Sequence, residues 1–207
     1  MKRFLRKMNR GLILAAVVLV GVVIFVTVDN VRFKRSKPEI QKQVEEYLEE
    51  VKRVNLEPGE EKVDQARKLL EQYWCDGSNG MDISYSRMTK EEGLSYLKRV
   101  KEQGGDWNQV LDYTDMVRSV KIVKNGPGCA KAMVEYEASI GFEKEQGDNG
   151  YPIYGLQGDG YYFFGSVKKE EDGKRLNVSY SLSFLLYEKD GQWKISSADY
   201  SEPDEQM

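Results

Sequence analysis

Residues 11–28, GLILAAVVLVGVVIFVTV, carry no charge and directly follow the basic decapeptide MKRFLRKMNR. Eighteen helical residues rise about 27 Å, close to the hydrocarbon thickness of a bilayer and long for the apolar core of a cleavable signal. Thirteen of them are Leu, Ile, Val or Phe, each favouring insertion by roughly 0.3 to 0.6 kcal/mol near the helix centre. Phe25 and Thr27 ahead of Val28 suit a signal peptidase poorly, and no nearby cysteine follows to take a lipid. The run is therefore expected to be an uncleaved single-pass anchor in contact with membrane lipid.

Charge sets the expected orientation. Lys2, Arg3, Arg6, Lys7 and Arg10 precede the run, and Arg32, Lys34, Arg35 and Lys37 follow it. Removing the five basic residues of the tail from the chain's 31 leaves 26 against 34 acidic residues, a net charge of −8. A purely basic tail favours the cytoplasmic side, whereas acidic residues hinder translocation little. The expected layout is a cytoplasmic tail at 1–10, a transmembrane helix at 11–28 and a basic juxtamembrane linker at 29–37. An extracytoplasmic domain at 38–200 and an acidic tail at 201–207 complete it.

Composition narrows the chemistry. The chain has no histidine, which removes Ser-His-Asp and Cys-His catalysis, histidine-containing zinc sites and the usual proton shuttle of neutral pH. No cofactor and no metal is expected. The acidic balance, without a basic stripe interleaved with aromatics, argues against nucleic acid as a partner. Cys75 and Cys129 are the only cysteines. They are either a disulfide, which would persist outside the cytoplasm, or two buried thiols.

Periodicity divides the domain in two. Ser36-Lys-Pro-Glu39 has capping-box spacing and is followed by Ile40, Val44, Tyr47, Leu48 and Val51, which predicts a helix over about 38–54. Val63, Ala66, Leu69, Leu70, Tyr73 and Trp74 mark a second helix. Thr89-Lys-Glu-Glu92 opens a third that stops at Gly104-Gly105. From about residue 113 the period becomes two. Strands are predicted over 117–124, 132–142, 161–168, 176–186 and 193–200, with turns at NGPG, EEDG and Lys189-Asp-Gly191.

Helices followed by an antiparallel meander predict an α+β domain, two or three helices packed on a curved antiparallel sheet. The order of elements, and the closing hairpin LLYEKDGQWKISSADY at 185–200, resemble the nuclear-transport-factor-2-like, cone-shaped fold of the cystatin-like superfold. Catalytic members of that superfold place an acid or base with tyrosine or histidine donors inside the cone. The resemblance implies that Asp112 and Asp115 near Tyr113, or Glu135 and Glu137 flanking Tyr136, would be the groups to test here.

Each of those carboxylates also reads as a solvated charge at a strand start or on the face opposite the apolar stripe. The chain is accordingly expected not to be an enzyme. The layout resembles bitopic assembly components of Gram-positive conjugation and type IV secretion machines, which implies a domain that docks on other envelope proteins. The alternative is a small-ligand-binding cone, or a carboxylate and tyrosine enzyme, with Tyr136, Tyr180 and Trp193 as walls of a deep pocket. Tyr151 and Tyr154, in the glycine- and aspartate-rich segment 147–162, are further candidates for ligand or partner contact.

Overall fold

The computed structural model describes residues 10–76, 88–103, 109–145, 166–169 and 171–201. The chain divides into two compact units, residues 1–38 and 39–207. The first is helical from Arg10 onward and holds the apolar run, with none of that run buried against protein. This is one helix long and apolar enough to cross a membrane. Its one hydroxyl, Thr27 Oγ1, donates to the Val23 carbonyl at 2.8 Å, so this side chain is satisfied within the helix.

Helix α1 spans Arg10–Leu56 without a break. The helix start expected at Ser36 does not occur. Nothing from Asp29 to Lys37 is a strong helix breaker, and Pro38, inside the helix, removes a single backbone donor.

In the second unit, Ile40, Val44, Tyr47, Leu48, Val51 and Val54 of α1 form one buried stripe. Tyr47 is its centre. The ring meets Phe184 of the sheet edge-on with centroids 5.7 Å apart, and lies 5.6 Å from Tyr73 and 6.1 Å from Trp74. Helix α2, Glu61–Tyr73, buries Val63, Ala66, Leu69, Leu70 and Tyr73. Helix α3, Lys90–Gln103, opens with the expected capping box. The Thr89 N–H donates to Glu92 Oε2 at 2.8 Å, and the Glu92 N–H donates to Thr89 Oγ1 at 3.3 Å. The helices α2 and α3 pack closely at Gly93, where a Cβ would stand 2.8 Å from Leu70 Cδ1.

The sheet contains β1 (Met88–Thr89), β2 (Val110–Gly126), β3 (Cys129–Phe142), β4 (Ser166–Lys169), β5 (Arg175–Lys189) and β6 (Gln192–Ser201). Its order is β1-β6-β5-β3-β2, with β4 paired to the start of β5, and every pairing is antiparallel. This is the expected α+β class. Asp190 and Gly191 have φ of 52° and 77° between the paired residues Lys189 and Gln192, the signature of a two-residue type I′ turn. Ala130, Ala132, Val134, Tyr136, Ala138, Ile140 and Phe142 of β3 are buried, as are Leu176, Val178, Leu182, Phe184 and Leu186 of β5. These side chains form the helix-covered face, and Glu135, Glu137, Asn177, Ser179, Ser181 and Ser183 face the other way.

Strand β2 carries the irregularity that shapes the site. Val117 pairs with Tyr136 but Ser119 pairs with Glu135, leaving Arg118 as an extra residue. The bulge inverts the alternation. Tyr113, Asp115 and Val117 before it share the covered face with Val120 and Ile122 after it, because their partners Ile140, Ala138, Tyr136, Val134 and Ala132 all point there.

Candidate functional site

Asp115 is the unusual member of that covered face. Its side chain is 11% exposed and faces a core of aliphatic and aromatic groups, where an unpaired carboxylate would be costly. Two neighbours satisfy it. Lys52 Nζ, from α1, lies 3.0 Å from Oδ1, and the Tyr136 hydroxyl donates to Oδ2 at 3.3 Å. The Tyr113 and Tyr136 hydroxyl oxygens are 3.0 Å apart. Since Tyr136 gives its proton to Asp115, Tyr113 donates to Tyr136. The result is a four-membered relay, Tyr113 to Tyr136 to Asp115 to Lys52, running from the core toward the surface.

Both tyrosines are buried, at 5% and 1% exposure. Burial pushes the Tyr113 hydroxyl well above the ordinary tyrosine range, outweighing the opposing effect of its bond to Tyr136. It is a permanent proton donor at any physiological pH. The hydrogen bond to Asp115 holds the Lys52 ammonium above its usual range, against partial desolvation. Lys52 and Asp115 keep partial exposure, so the charged end of the relay is the end a molecule from solution can reach.

The other carboxylates named from sequence lie elsewhere. Asp112 is three residues before Asp115 and faces the opposite side of the sheet. Its carboxylate receives Arg175 Nη1 and Nη2, each at 2.8 Å, a bidentate pair that crosses strand β3 over Gly141. A Cβ on Gly141 would collide with the Asp112 carboxylate and come within 2.9 Å of Arg175 Nη2. Glu137 accepts from Arg118, which holds it below the usual carboxylate range, and Glu135 accepts from Ser181 at 2.5 Å.

Tyr136 and Tyr180 are register partners on β3 and β5. Trp193, buried at the Glu188 end of β5, is eight strand residues from Tyr180, about 27 Å along the sheet. The structure therefore does not bring Tyr136 and Trp193 together. Tyr151 and Tyr154 lie outside the described residues. Cys75 and Cys129 are free, buried thiols. Cys75 Sγ contacts the Ile195 carbonyl at 3.4 Å beside β6, and Cys129 opens β3. With β6 and β5 between them the backbones stand about 14 Å apart, twice the reach of a disulfide. Among the described residues no group of three metal-ligating acidic or thiol side chains occurs.

Lys52 was not a candidate from sequence. The signal was available: it follows Val51 directly and Leu48 by one turn, at the margin of the α1 stripe, where a long basic side chain reaches over the sheet.

Two hollows flank these elements. One, of about 610 Å³, lies between α2 and α3 over Val63, Leu94 and Leu97, with Asp64, Arg67, Lys98 and Lys101 among its rim. The other, of about 350 Å³, opens around Thr114, Glu137, Ser139, Asn177 and Ser179 on the uncovered side of the sheet.

No protein-family profile matches the chain, and no curated protein sequence matches it. Solved structures of similar shape include a nuclear transport factor 2-like superfamily protein from Salmonella enterica serovar Typhimurium, 12% identical, with a TM-score of 0.45 over 84% of this chain and 96% of that one. A candidate scytalone dehydratase from Novosphingobium aromaticivorans is 11% identical, with a TM-score of 0.43 over 87% and 99% of the two chains. A hexachlorocyclohexane dehydrochlorinase, LinA type 2, is 10% identical, with a TM-score of 0.39 over 77% and 85%. The presence of a dehydrochlorinase and a dehydratase among these chains corrects the expectation that a chain of this build is not an enzyme.

Proposed function

We propose that this chain is a membrane-anchored protein whose folded unit binds a small polar ligand through Lys52, Asp115, Tyr136 and Tyr113. The observation that carries the reading is the convergence of an amine, a carboxylate and two phenols on the helix-covered face of the sheet, with the charged pair partly open to solvent. A ligand bearing both a donor and an acceptor replaces the Lys52–Asp115 contact with its own groups, while the buried tyrosines keep the carboxylate aimed. The same set would serve proton transfer, with Asp115 as base and Tyr136 as the donor that steadies it.

The test is a thermal-shift screen of small polar compounds against the full-length protein in detergent, repeated with Asp115→Asn. The reading predicts compounds that stabilise the wild type and lose at least tenfold in affinity with Asp115→Asn. Equal stabilisation of both proteins, or none of either, refutes it. Carbonate extraction and protease accessibility in intact cells test the anchor and the external placement of the domain.

A second reading, docking on another envelope protein such as a conjugation or secretion component, is favoured by the hollow between α2 and α3, which pairs an apolar floor with a rim of both charges. Cross-linking in native membranes with and without Leu94→Asp tests it. Loss of a specific cross-linked partner with the variant supports docking there.

A further inference from the structure

We propose that Arg32, Lys34, Arg35 and Lys37 form a collar that binds the phosphate head groups of anionic phospholipids and enriches them around the anchor. The inference rests on the reading that residues 11–28 span a bilayer. Four basic residues fall within six positions, and no carboxylate occurs between Asp29 and Glu39. All four are exposed on a continuous helix. At about 100° per residue they occupy all of the circumference except the sector of Phe33. Even that sector is covered, since Lys37 Nζ lies 5.4 Å from the centroid of the Phe33 ring.

Height along the helix selects the ligand. Arg32 and Lys37 lie four and nine residues past Val28, about 6 and 14 Å along the axis. The head-group layer adds roughly 5 to 8 Å beyond the hydrocarbon on each side. Helical side chains lean toward the N-terminus, here toward the apolar run, so the more distant Arg35 and Lys37 reach back into that layer. Phosphodiester oxygens at this depth match guanidinium and ammonium donors.

Charge argues against the other occupant, an acidic protein surface. Residues 39–207 contain 22 Lys and Arg against 33 Asp and Glu, a net of −11. A second copy could offer that acidity to the collar, but only through an extra interface, whereas head groups are already beside it. An anionic leaflet repels the acidic unit, so any preference for such lipid must come from the basic flanks of the run.

The experiment inserts full-length protein into vesicles of phosphatidylcholine with a minority of phosphatidylglycerol. The protein is then extracted with its lipid annulus in polymer discs and the two lipids are counted by mass spectrometry. Each basic residue near an anionic surface favours it by roughly fivefold, which after averaging over the annulus predicts at least about twofold enrichment of phosphatidylglycerol. The variant with all four collar residues changed to Gln returns to the bulk ratio. A variant with Lys2, Arg3, Arg6, Lys7 and Arg10 changed to Gln keeps part of the enrichment. Excess inorganic phosphate leaves the wild-type enrichment in place, because the collar holds lipid rather than free anion; its loss overturns the proposal. Vesicle-inserted protein with an annulus equal to the bulk also overturns it while the anchor stands, and salt-sensitive self-association in that case identifies a second copy as the occupant. Protein washed from the vesicles by carbonate overturns the anchor and the collar together.

Discussion

Replacing Tyr136 with phenylalanine tests the direction of the buried relay. Tyr136 donates to Asp115 and accepts from Tyr113, so the variant leaves the Tyr113 O–H as a buried donor without its acceptor. It also removes one of the donors to Asp115. An unsatisfied buried donor costs about 1–3 kcal/mol, and a bond to a charged acceptor about as much. Because Lys52 still faces Asp115 at 3.0 Å, the expected loss is about 2–3 kcal/mol, a fall in Tm of roughly 5–10 °C for a unit of this size. Tyr113→Phe is milder. It removes a donor from a hydroxyl oxygen and orphans no proton, so about 1 kcal/mol is expected. The double variant should cost no more than Tyr136→Phe alone, since no stranded donor remains, which gives a coupling energy of about 1 kcal/mol. The assay is urea unfolding of the full-length protein in mild detergent, followed by tryptophan fluorescence. Equal losses for the two single variants, or additivity in the double, would falsify the assigned order of donors.

Gly141→Ala should weaken the Asp112–Arg175 bridge by crowding both partners, costing about 1 kcal/mol in urea unfolding. Asp112→Ala should cost a similar amount, and the two losses should not add. Cys75 and Cys129 should each react with a thiol reagent only on unfolding, and reduction should leave the intact mass unchanged. Burial pushes the Cys75 thiol up, so native alkylation at neutral pH should be slow; a two-dalton mass change on reduction would contradict the free thiols. Lys62 is 1% exposed, and burial lowers its ammonium to about 8 from 10.5. The unfolded chain therefore binds more protons between those values, and Lys62 makes stability rise from pH 8 to 10.5. Lys62→Met should flatten that rise, so that its stability relative to the wild type falls by up to about 3 kcal/mol between pH 7 and 10.5. A pH-independent difference would refute this.

Where side chains alternate without interruption, the sequence was sufficient. The β3 run from Ala132 to Phe142 buries the residues that periodicity selects, and Leu176, Val178, Leu182, Phe184 and Leu186 of β5 are buried as their alternation predicts. The Thr89–Glu92 capping box and the Asp190–Gly191 turn are likewise local chemistry, readable from a few adjacent residues. The continuity of α1 through residues 29–38 was not readable, because Ser36-Lys-Pro-Glu39 fits both a helix beginning and a helix interior that tolerates one proline. Candidate residues were visible singly, but their grouping was not. Asp112 and Asp115 look like a pair in sequence and lie on opposite faces, while Lys52 arrives from 63 positions before Asp115.

The bulge at Arg118 explains why the site was hidden. Strict alternation carried back from Ile122 and Val120 would put Met116 and Thr114 in the core and Asp115 in water. The extra residue inverts this, leaving Met116 55% exposed and turning Asp115 inward beside Tyr136. Placing a carboxylate there carries a desolvation cost that valine would avoid, and the structure offsets it with Lys52 and a tyrosine pair rather than removing it. A strand that only had to cover the helices would lose nothing if the whole relay were made apolar at once, by Lys52→Met, Tyr113→Phe, Asp115→Val and Tyr136→Phe together, because replacing a buried pair and all its partners by packed apolar groups is often neutral or stabilising. If that variant is as stable as the wild type yet abolishes the ligand response, the relay exists for binding; if it is strongly destabilised, the relay is a structural element of the β2 edge.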